Sequence, residues 1–235
     1  MTFTESLITI EERLKMDNLL KTDFLSVINS VRRGDAPEWT AEVSLRMEDI
    51  AVHLFDVDDP KDNAATVLRA VGEGTASYVN GKPDAPYKLR FICYDEYLHQ
   101  FVFDDGQGHV DKSMLKNHTR MADFVVYDTS VNHVWFVVNE LSKGAEDNKR
   151  GKGRVQLANT IDLLCRSAAI KAFVEPFANK WCVLSTCDKR VLTHNGWGKG
   201  FMEAYSILPE PLKFQFGAMK RLGFTGFETS KVVLV

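Results

Sequence analysis

Apolar residues in the first third of the chain recur with the spacing of helices. The stretches 8–31, 40–54 and 63–79 each place apolar side chains three or four positions apart among charged residues, which predicts amphipathic helices. A break rich in glycine and proline ends this pattern at residues 80–83. The pattern therefore predicts a helical N-terminal layer over residues 1–82.

Short β-like runs replace the helical pattern after about residue 88. The run at 134–139 is apolar almost throughout, which is typical of a strand that is covered on both faces. Helices are predicted over about 154–174 and near 201–221. The predicted strands lie at 89–94, 98–103, 123–127, 134–139, 181–185 and 231–235.

This order of elements indicates an α/β (α+β) fold with layered packing. The chain contains no internal repeat, no low-complexity tract and no stretch that resembles a linker. We therefore expect a single domain over residues 1–235, built on a central mixed sheet flanked by helices.

The composition is that of a globular protein. Lys and Arg number 29 and Asp and Glu 32, which gives a net charge of −3, and 45% of the residues are hydrophobic. These values exclude intrinsic disorder and a protein that coats nucleic acid through bulk charge. No apolar run approaches the roughly 20 residues of a membrane-spanning helix, and the chain start lacks the order of a signal peptide. We therefore expect a cytoplasmic protein with no membrane partner.

Cysteine usage agrees with a reducing compartment. The chain has four cysteines and no C-x-x-C pair, which is too few for a disulfide framework at this length. Cys182 and Cys187 flank a predicted strand, so we interpret them as buried thiols rather than metal ligands.

Two carboxylates frame the strand pair in the middle of the chain. Asp123 begins one predicted strand, and Glu140 ends the next, 17 residues later. If the strands form a hairpin, both residues lie at the same end of it. Neighbouring carboxylates repel each other, and a shared hard divalent cation relieves that repulsion. The pair therefore predicts a site for Mg²⁺ (or Mn²⁺), where a metal-bound water can attack a phosphate.

These residues resemble the motifs of the PD-(D/E)XK nuclease superfamily, the restriction-endonuclease-like fold. Residues 120–126 resemble its Asp-bearing strand, residues 137–144 its acidic-x-Lys segment, and Gln156 the start of the helix that follows. The resemblance implies an αβββαβ core over about residues 88–186. It leaves residues 187–235 as a C-terminal extension.

The resemblance also implies roles for individual residues. Asp123 and Glu140 would be the metal ligands, Lys143 would lie near the scissile phosphate, and Gln156 would support the site. All four are thus candidate catalytic residues.

The sequence departs from the family at one position. The family places lysine two residues after the glutamate, where this chain has Ser142. Lys143 lies one residue further on, and on a regular strand its side chain points to the opposite face. A bulge would turn it back, and Lys149 or Lys152 are alternative sources of the missing charge.

A basic stretch follows the acidic-x-Lys segment. Lys149, Arg150, Lys152 and Arg154 are interpreted either as part of a solvated loop or as an arm that contacts phosphates, which makes them candidate nucleic-acid-binding residues.

Two functions follow from these observations. The first is a Mg²⁺-dependent endonuclease that cuts a phosphodiester in DNA or RNA, in restriction or phage defence. The second is a non-catalytic protein-interaction or regulatory protein on a degenerate nuclease scaffold. In the second, the helical N-terminal layer would bind a protein partner or form a homo-oligomer. The mildly acidic charge balance favours the second, because DNA-cutting proteins usually have a more basic surface.

Overall fold

The fold is given by a computed structural model, and the described residues contain six helices. The structure describes residues 15–58, 66–108, 112–115, 120–142, 147–186 and 212–235. Within them, helices α1 to α6 span Met16–Lys21, Asp23–Val31, Tyr94–His99, Asp147–Leu164, Ala168–Val174 and Gly217–Leu222.

Thirteen strands lie in the same residues. Strands β1 to β13 span Met47–Ile50, Leu54–Asp58, Val67–Arg69, Ala76–Asn80, Leu89–Cys93, Val102–Phe103, Lys112–Ser113, Phe124–Asp128, Trp135–Ser142, Asn179–Thr186, Leu212–Phe214, Thr225–Glu228 and Lys231–Leu234.

These strands form one large mixed sheet and two smaller sheets. The large sheet has seven strands in the order β1-β5-β8-β9-β10-β12-β11. Strands β5, β8 and β9 are antiparallel neighbours, whereas β9, β10 and β12 run parallel. Helices α4 and α5 lie between β9 and β10 in the chain, as a parallel connection requires. A four-stranded sheet has the order β13-β4-β2-β3, and β6 pairs with β7.

The two faces of the large sheet have different neighbours. Phe136 and Val138 of β9 belong to a core that includes Leu157 of α4. Trp135 and Val137, which alternate with them, belong to a second core shared with the four-stranded sheet. Every residue of β9 is therefore buried, which explains its continuous apolar run. The predicted mixed sheet is present, with helices on one face and a second sheet, rather than helices, on the other.

A buried hydrogen-bond network joins the two sheets. Nδ2 of Asn139 in β9 donates to Oη of Tyr78 in β4 at 2.7 Å and to Oγ of Ser185 in β10 at 3.1 Å. All three residues are at most 1% exposed. Burial raises the pKa of the Tyr78 hydroxyl, and the bond from Asn139 lowers it in part. The network therefore connects β4 of the four-stranded sheet to β9 and β10 of the large sheet, next to Glu140.

Replacing Tyr78 with phenylalanine is expected to lower the free energy of unfolding by about 1–2 kcal/mol, because a buried amide donor loses its acceptor. Urea unfolding measures the change. Tyr87→Phe is the control, since Tyr87 is half-buried and its ring packs edge-on against Trp135. Equal unfolding midpoints for Tyr78→Phe and the unmodified protein would contradict the role given to this network.

Part of the predicted helical N-terminal layer is wrong. Helices α1 and α2 are present, but the predicted helices at 40–54 and 63–79 are replaced, within the described residues, by β1 to β4. Residues of β4 alternate between buried and half-buried, which is the period of a strand. Gly72 has a φ of 92°, a conformation that interrupts any helix. Its N–H and that of Gly74 donate to Oδ2 of Asp56, which holds the turn between β3 and β4.

The predicted strand at 98–103 is also wrong over its first half. Tyr94, Tyr97, Leu98 and Phe101 are buried with helical spacing and pack in the helix-side core, and α3 covers the first two residues of that strand. Only β6 remains of it.

The predicted helix at 154–174 begins earlier and is two helices. Helix α4 begins at Asp147, and α5 begins after Ser167, whose Oγ accepts the N–H of Ile170 at 3.2 Å. This cap explains the break between them.

The remaining structural predictions have mixed outcomes. The strands at 181–185 and 231–235 are confirmed as β10 and β13, and Cys182 is a buried free thiol. Helix α6 coincides with the end of the helical segment predicted near 201–221. Residues 1–14, 187 and 201–211 lie outside the described residues. The single-domain assignment stays a prediction. In the described part of the chain, no helix combines the length and apolarity needed to cross a membrane.

Stability is expected to fall at alkaline pH. Burial raises the pKa of the Cys165 thiol from 9.0 to about 11, and burial also raises the pKa of Tyr94, Tyr97 and Cys182. The unfolded chain releases these protons at lower pH than the folded chain does. The contribution of these protonated groups to the free energy of unfolding is therefore complete below about pH 9 and is lost as the pH rises further. Urea midpoints measured from about pH 8 to 11 are expected to decrease; a constant midpoint would contradict this.

Candidate functional site

The antiparallel pair β8 and β9 brings Asp123 next to Glu140. Phe124 of β8 pairs with Asn139 of β9. The N–H of Asp123 donates to the carbonyl of Asn139 at 3.1 Å, and Oδ2 of Asp123 accepts the N–H of Leu141 at 2.5 Å. Asp123 is thus bonded to the residues on both sides of Glu140. The predicted hairpin is present, and it places both carboxylates at one end.

Helix α3 fixes the backbone of Asp123. The carbonyl of Asp123 accepts the N–H groups of Tyr94 and Asp95, at 2.9 and 3.0 Å. These residues are the first two of α3. The backbone carbonyl of Asp123 thus accepts hydrogen bonds from α3, and the N–H of Leu141 donates to the side chain of Asp123. Asp123 therefore has a structural task at the end of the strand pair as well as a position beside Glu140.

Glu140 lies under helix α4 on the helix-side face of the sheet. The residue is 7% exposed. A Cβ added to Gly153 of α4 would lie 3.3 Å from Cγ of Glu140 and 2.6 Å from Cδ1 of Leu184. The helix therefore approaches the sheet closely here, and only glycine allows this approach without displacing Glu140 or Leu184.

Ser142 occupies the position where the family has lysine. Strand β9 pairs with β10 residue by residue from Trp135 to Ser142, with no interruption. Since alternate residues of a strand share a face, Ser142 faces the same side as Glu140. No bulge therefore re-aims the chain up to Ser142. Lys143 lies outside the described residues.

Helix α4 also holds the segment that leads into Asp123. Nε2 of Gln156 donates to the carbonyl of Met121 at 3.1 Å. Oγ1 of Thr160, one turn later, accepts the N–H of Ala122 at 2.8 Å. Gln156 therefore holds the backbone two residues before Asp123. Thr160 shares this task and was not predicted.

The basic stretch lies on helix α4, so its interpretation as a loop is wrong. Lys149 and Lys152 are exposed on the first turns. Arg150 and Arg154 form ion pairs with Glu228 of β12, at 2.8 and 2.7 Å. Helix spacing places both arginines on the flank of α4 that faces β12, whereas Gln156 is on the flank that faces β8.

Glu228 is the main residue that the sequence analysis missed. Leu184 of β10 pairs with both Glu140 of β9 and Glu228 of β12, so the three residues form a row across parallel strands. The side chain of Glu228 is 7% exposed. It ends β12, whose sequence Thr-Gly-Phe-Glu has no apolar run, so the sequence carried no local signal for it.

The two carboxylates suit Mg²⁺ as protein donors. Mg²⁺ is usually bound through one or two carboxylates and retains several waters. Over the described ranges, no group of three or more His, Cys, Asp or Glu residues could hold a metal ion. The two candidate ligands of the sequence analysis, Asp123 and Glu140, are fewer than such a group, so a metal held by them alone would have water at most of its coordination positions.

Comparison with known proteins adds no relative. No protein-family model, curated protein or solved structure matches this chain.

Proposed function

We propose that this protein is a divalent-cation-dependent nuclease that cleaves a phosphodiester in DNA or RNA. The observation that carries the proposal is the contact of Asp123 with both neighbours of Glu140. This contact brings two carboxylates together at the end of a buried strand pair.

The order of the elements supports the proposal. Within residues 88–186, the antiparallel strands β5, β8 and β9 are followed by helices α4 and α5 and then by β10, which is parallel to β9. This is the βββαβ part of the core that the resemblance implies; its first helix has no counterpart within residues 88–186, because α1 and α2 lie before β1 to β4. Helix α3 and strands β6 and β7 lie between β5 and β8 in this chain.

Each residue near the pair has a task in the proposed chemistry. Asp123 and Glu140 hold Mg²⁺ or Mn²⁺, which when bound lowers the pKa of a coordinated water and stabilises charge on the phosphate. Gln156 and Thr160 hold the segment that carries Asp123. Burial under α4 keeps Glu140 in one conformation, so that the pair is organised before the ion binds.

Cleavage of nucleic acid tests the proposal. Supercoiled plasmid, linear duplex DNA and single-stranded RNA are incubated with the protein in Mg²⁺, in Mn²⁺ and in EDTA. We expect cleavage of at least one substrate that requires the divalent cation. Absence of cleavage in both metals, with folded protein, would refute the proposal.

One observation favours a second candidate, a non-catalytic interaction or regulatory protein on the same scaffold. Ser142 lies in a regular strand at the lysine position, so that position supplies no ammonium group. In that case the carboxylates would have only structural tasks, and a protein partner or homo-oligomer would be the functional assembly. A folded protein that cuts no substrate but elutes as a stable oligomer would favour this candidate. A place in restriction or phage defence stays a prediction.

A further inference from the structure

We infer that Arg150 and Arg154, held by Glu228, form a pair that binds a phosphate next to the cleaved one, at a sheet edge where Ser142 supplies no positive charge. The ligand is the phosphodiester backbone of a nucleic acid. This inference rests on the proposed function and extends it to the C-terminal strand β12. It also makes Glu228 a positioning residue of the site.

The pair lies at the same edge of the sheet as the carboxylates. Glu140, Leu184 and Glu228 are register partners near the carboxyl ends of three parallel strands. Neighbouring strands are roughly 4.7–4.9 Å apart, which places the backbone of Glu228 about 10 Å from that of Glu140. Ligands of open α/β sheets bind outside the carboxyl ends of their strands. At this separation from Glu140, the arginine pair can contact a backbone phosphate next to the cleaved one.

The charges and burial suit a phosphate clamp. Oε1 of Glu228 pairs with Arg150 and Oε2 with Arg154, so one carboxylate orients two guanidinium groups. Two guanidinium groups share one carboxylate in these ion pairs, so Glu228 by itself does not neutralise both arginines. The side chains of Arg150 and Arg154 are 36% and 28% exposed, whereas that of Glu228 is 7% exposed. The side chains of both arginines are therefore partly exposed to solvent, whereas that of Glu228 is buried.

Phe214 restricts Arg154 further. The guanidinium carbon of Arg154 lies 5.0 Å from the centre of the Phe214 ring, on the strand that pairs with β12. A guanidinium fixed by a carboxylate and a ring retains N–H donors in the fork geometry that matches a phosphate. Helix α4 thus supplies positive charge to this edge of the sheet, at a phosphate next to the cleaved one.

A second ion-pair group on the same helix provides a matched control. Asp162, near the end of α4, pairs with Arg166 at 3.2 Å and with Arg221 of α6 at 2.8 Å. It also has one carboxylate and two arginines, but it lies at the opposite end of the helix from the site. Arg221→Ala therefore removes a similar ion pair without touching the proposed clamp.

Metal-free binding to nucleic acid tests the inference. Fluorescence anisotropy in EDTA measures binding to a labelled DNA duplex of about 20 base pairs and to an RNA of similar length, between about 50 and 300 mM salt. Arg154→Ala and Arg150→Ala are each expected to reduce the slope of log K against log salt by about 1. Arg221→Ala is expected to keep the slope of the unmodified protein.

Glu228→Gln separates positioning from simple structural support. Removing a negative charge is expected to tighten binding or leave it unchanged, because the clamp becomes more positive. Cleavage in Mg²⁺ is expected to fall about 10-fold or more, since the guanidinium groups lose their fixed orientation. Weaker binding together with weaker cleavage would instead indicate simple structural support and would contradict the positioning role.

The outcomes also separate this inference from the proposed function. Unchanged salt slopes in both arginine variants, loss of affinity in Glu228→Gln, or no binding to either probe would overturn the clamp. Cleavage with unchanged slopes would refute the clamp and leave the nuclease intact. Reduced slopes without any cleavage would retain the clamp and refute the nuclease.

Discussion

Replacing Glu140 with glutamine is expected to reduce Mg²⁺-dependent cleavage by about 10³-fold. A metal ligand contributes several kcal/mol to stabilising the transition state, and each 1.36 kcal/mol changes the rate about tenfold. Glutamine has nearly the same shape, so the packing under Gly153 is retained. Initial rates of plasmid cleavage at saturating Mg²⁺ measure the loss.

Glu175→Gln is the matched control for this experiment. Glu175 is an exposed residue at the end of α5, so the substitution removes the same charge away from the site. Its cleavage rate is expected to stay within about twofold of the unmodified protein, because an isolated surface charge contributes little. A Glu140→Gln variant that is folded and as active as Glu175→Gln would remove Glu140 from the chemistry.

Gly153→Ala is expected to lower the free energy of unfolding by about 1–3 kcal/mol, the usual cost of overpacking a filled interior. The added Cβ would lie 2.6 Å from Cδ1 of Leu184 and 3.3 Å from Cγ of Glu140. Leu184 is fully buried, so it has little room to move. Cleavage is expected to fall as well, because the carboxylate of Glu140 shifts.

Gly151→Ala provides an internal standard on the same helix. A Cβ added to Gly151 meets nothing within 4 Å. Alanine is favoured over glycine in a helix, so the variant is expected to gain up to about 1 kcal/mol of stability. The two variants should therefore change stability in opposite directions in urea unfolding. Equal effects of the same sign would contradict the close contact of α4 with Glu140.

The strand pair at the centre of the site was predictable because its signal is local. Strand β9 is buried on both faces, and its continuous apolar run records that directly. Asp123 and Glu140 flank a connection short enough that the two strands had to pair with each other. The hairpin therefore places both residues without any long-range information.

The N-terminal strands were mispredicted because short apolar segments fit two periods. In β2 the outward-facing Asp56 is buried because it binds the turn at Gly72 and Gly74, which removes the alternation that marks a strand. The reverse error occurred at residues 98–99, which were predicted to begin a strand and belong to α3. Tyr94, Tyr97 and Leu98 of this helix pack in the helix-side core. Tertiary contacts decided both segments.

Glu228 was missed because its neighbours come from distant parts of the chain. Its ion pairs join β12 to α4, and its place beside Leu184 depends on the parallel pairing of β10 with β12. No local pattern specifies which parallel strands become neighbours. The arginines were visible in the sequence, but the carboxylate that orients them was not.

The central claim is that Asp123 and Glu140 bind one divalent cation together. Electron paramagnetic resonance of free Mn²⁺ measures this directly in the unmodified protein and in the Asp123→Asn/Glu140→Gln double variant. We expect the unmodified protein to remove Mn²⁺ from solution and the folded double variant to lose that binding, with Mg²⁺ competing for the same site. Equal Mn²⁺ binding by both proteins, or none by the unmodified protein, would contradict the claim.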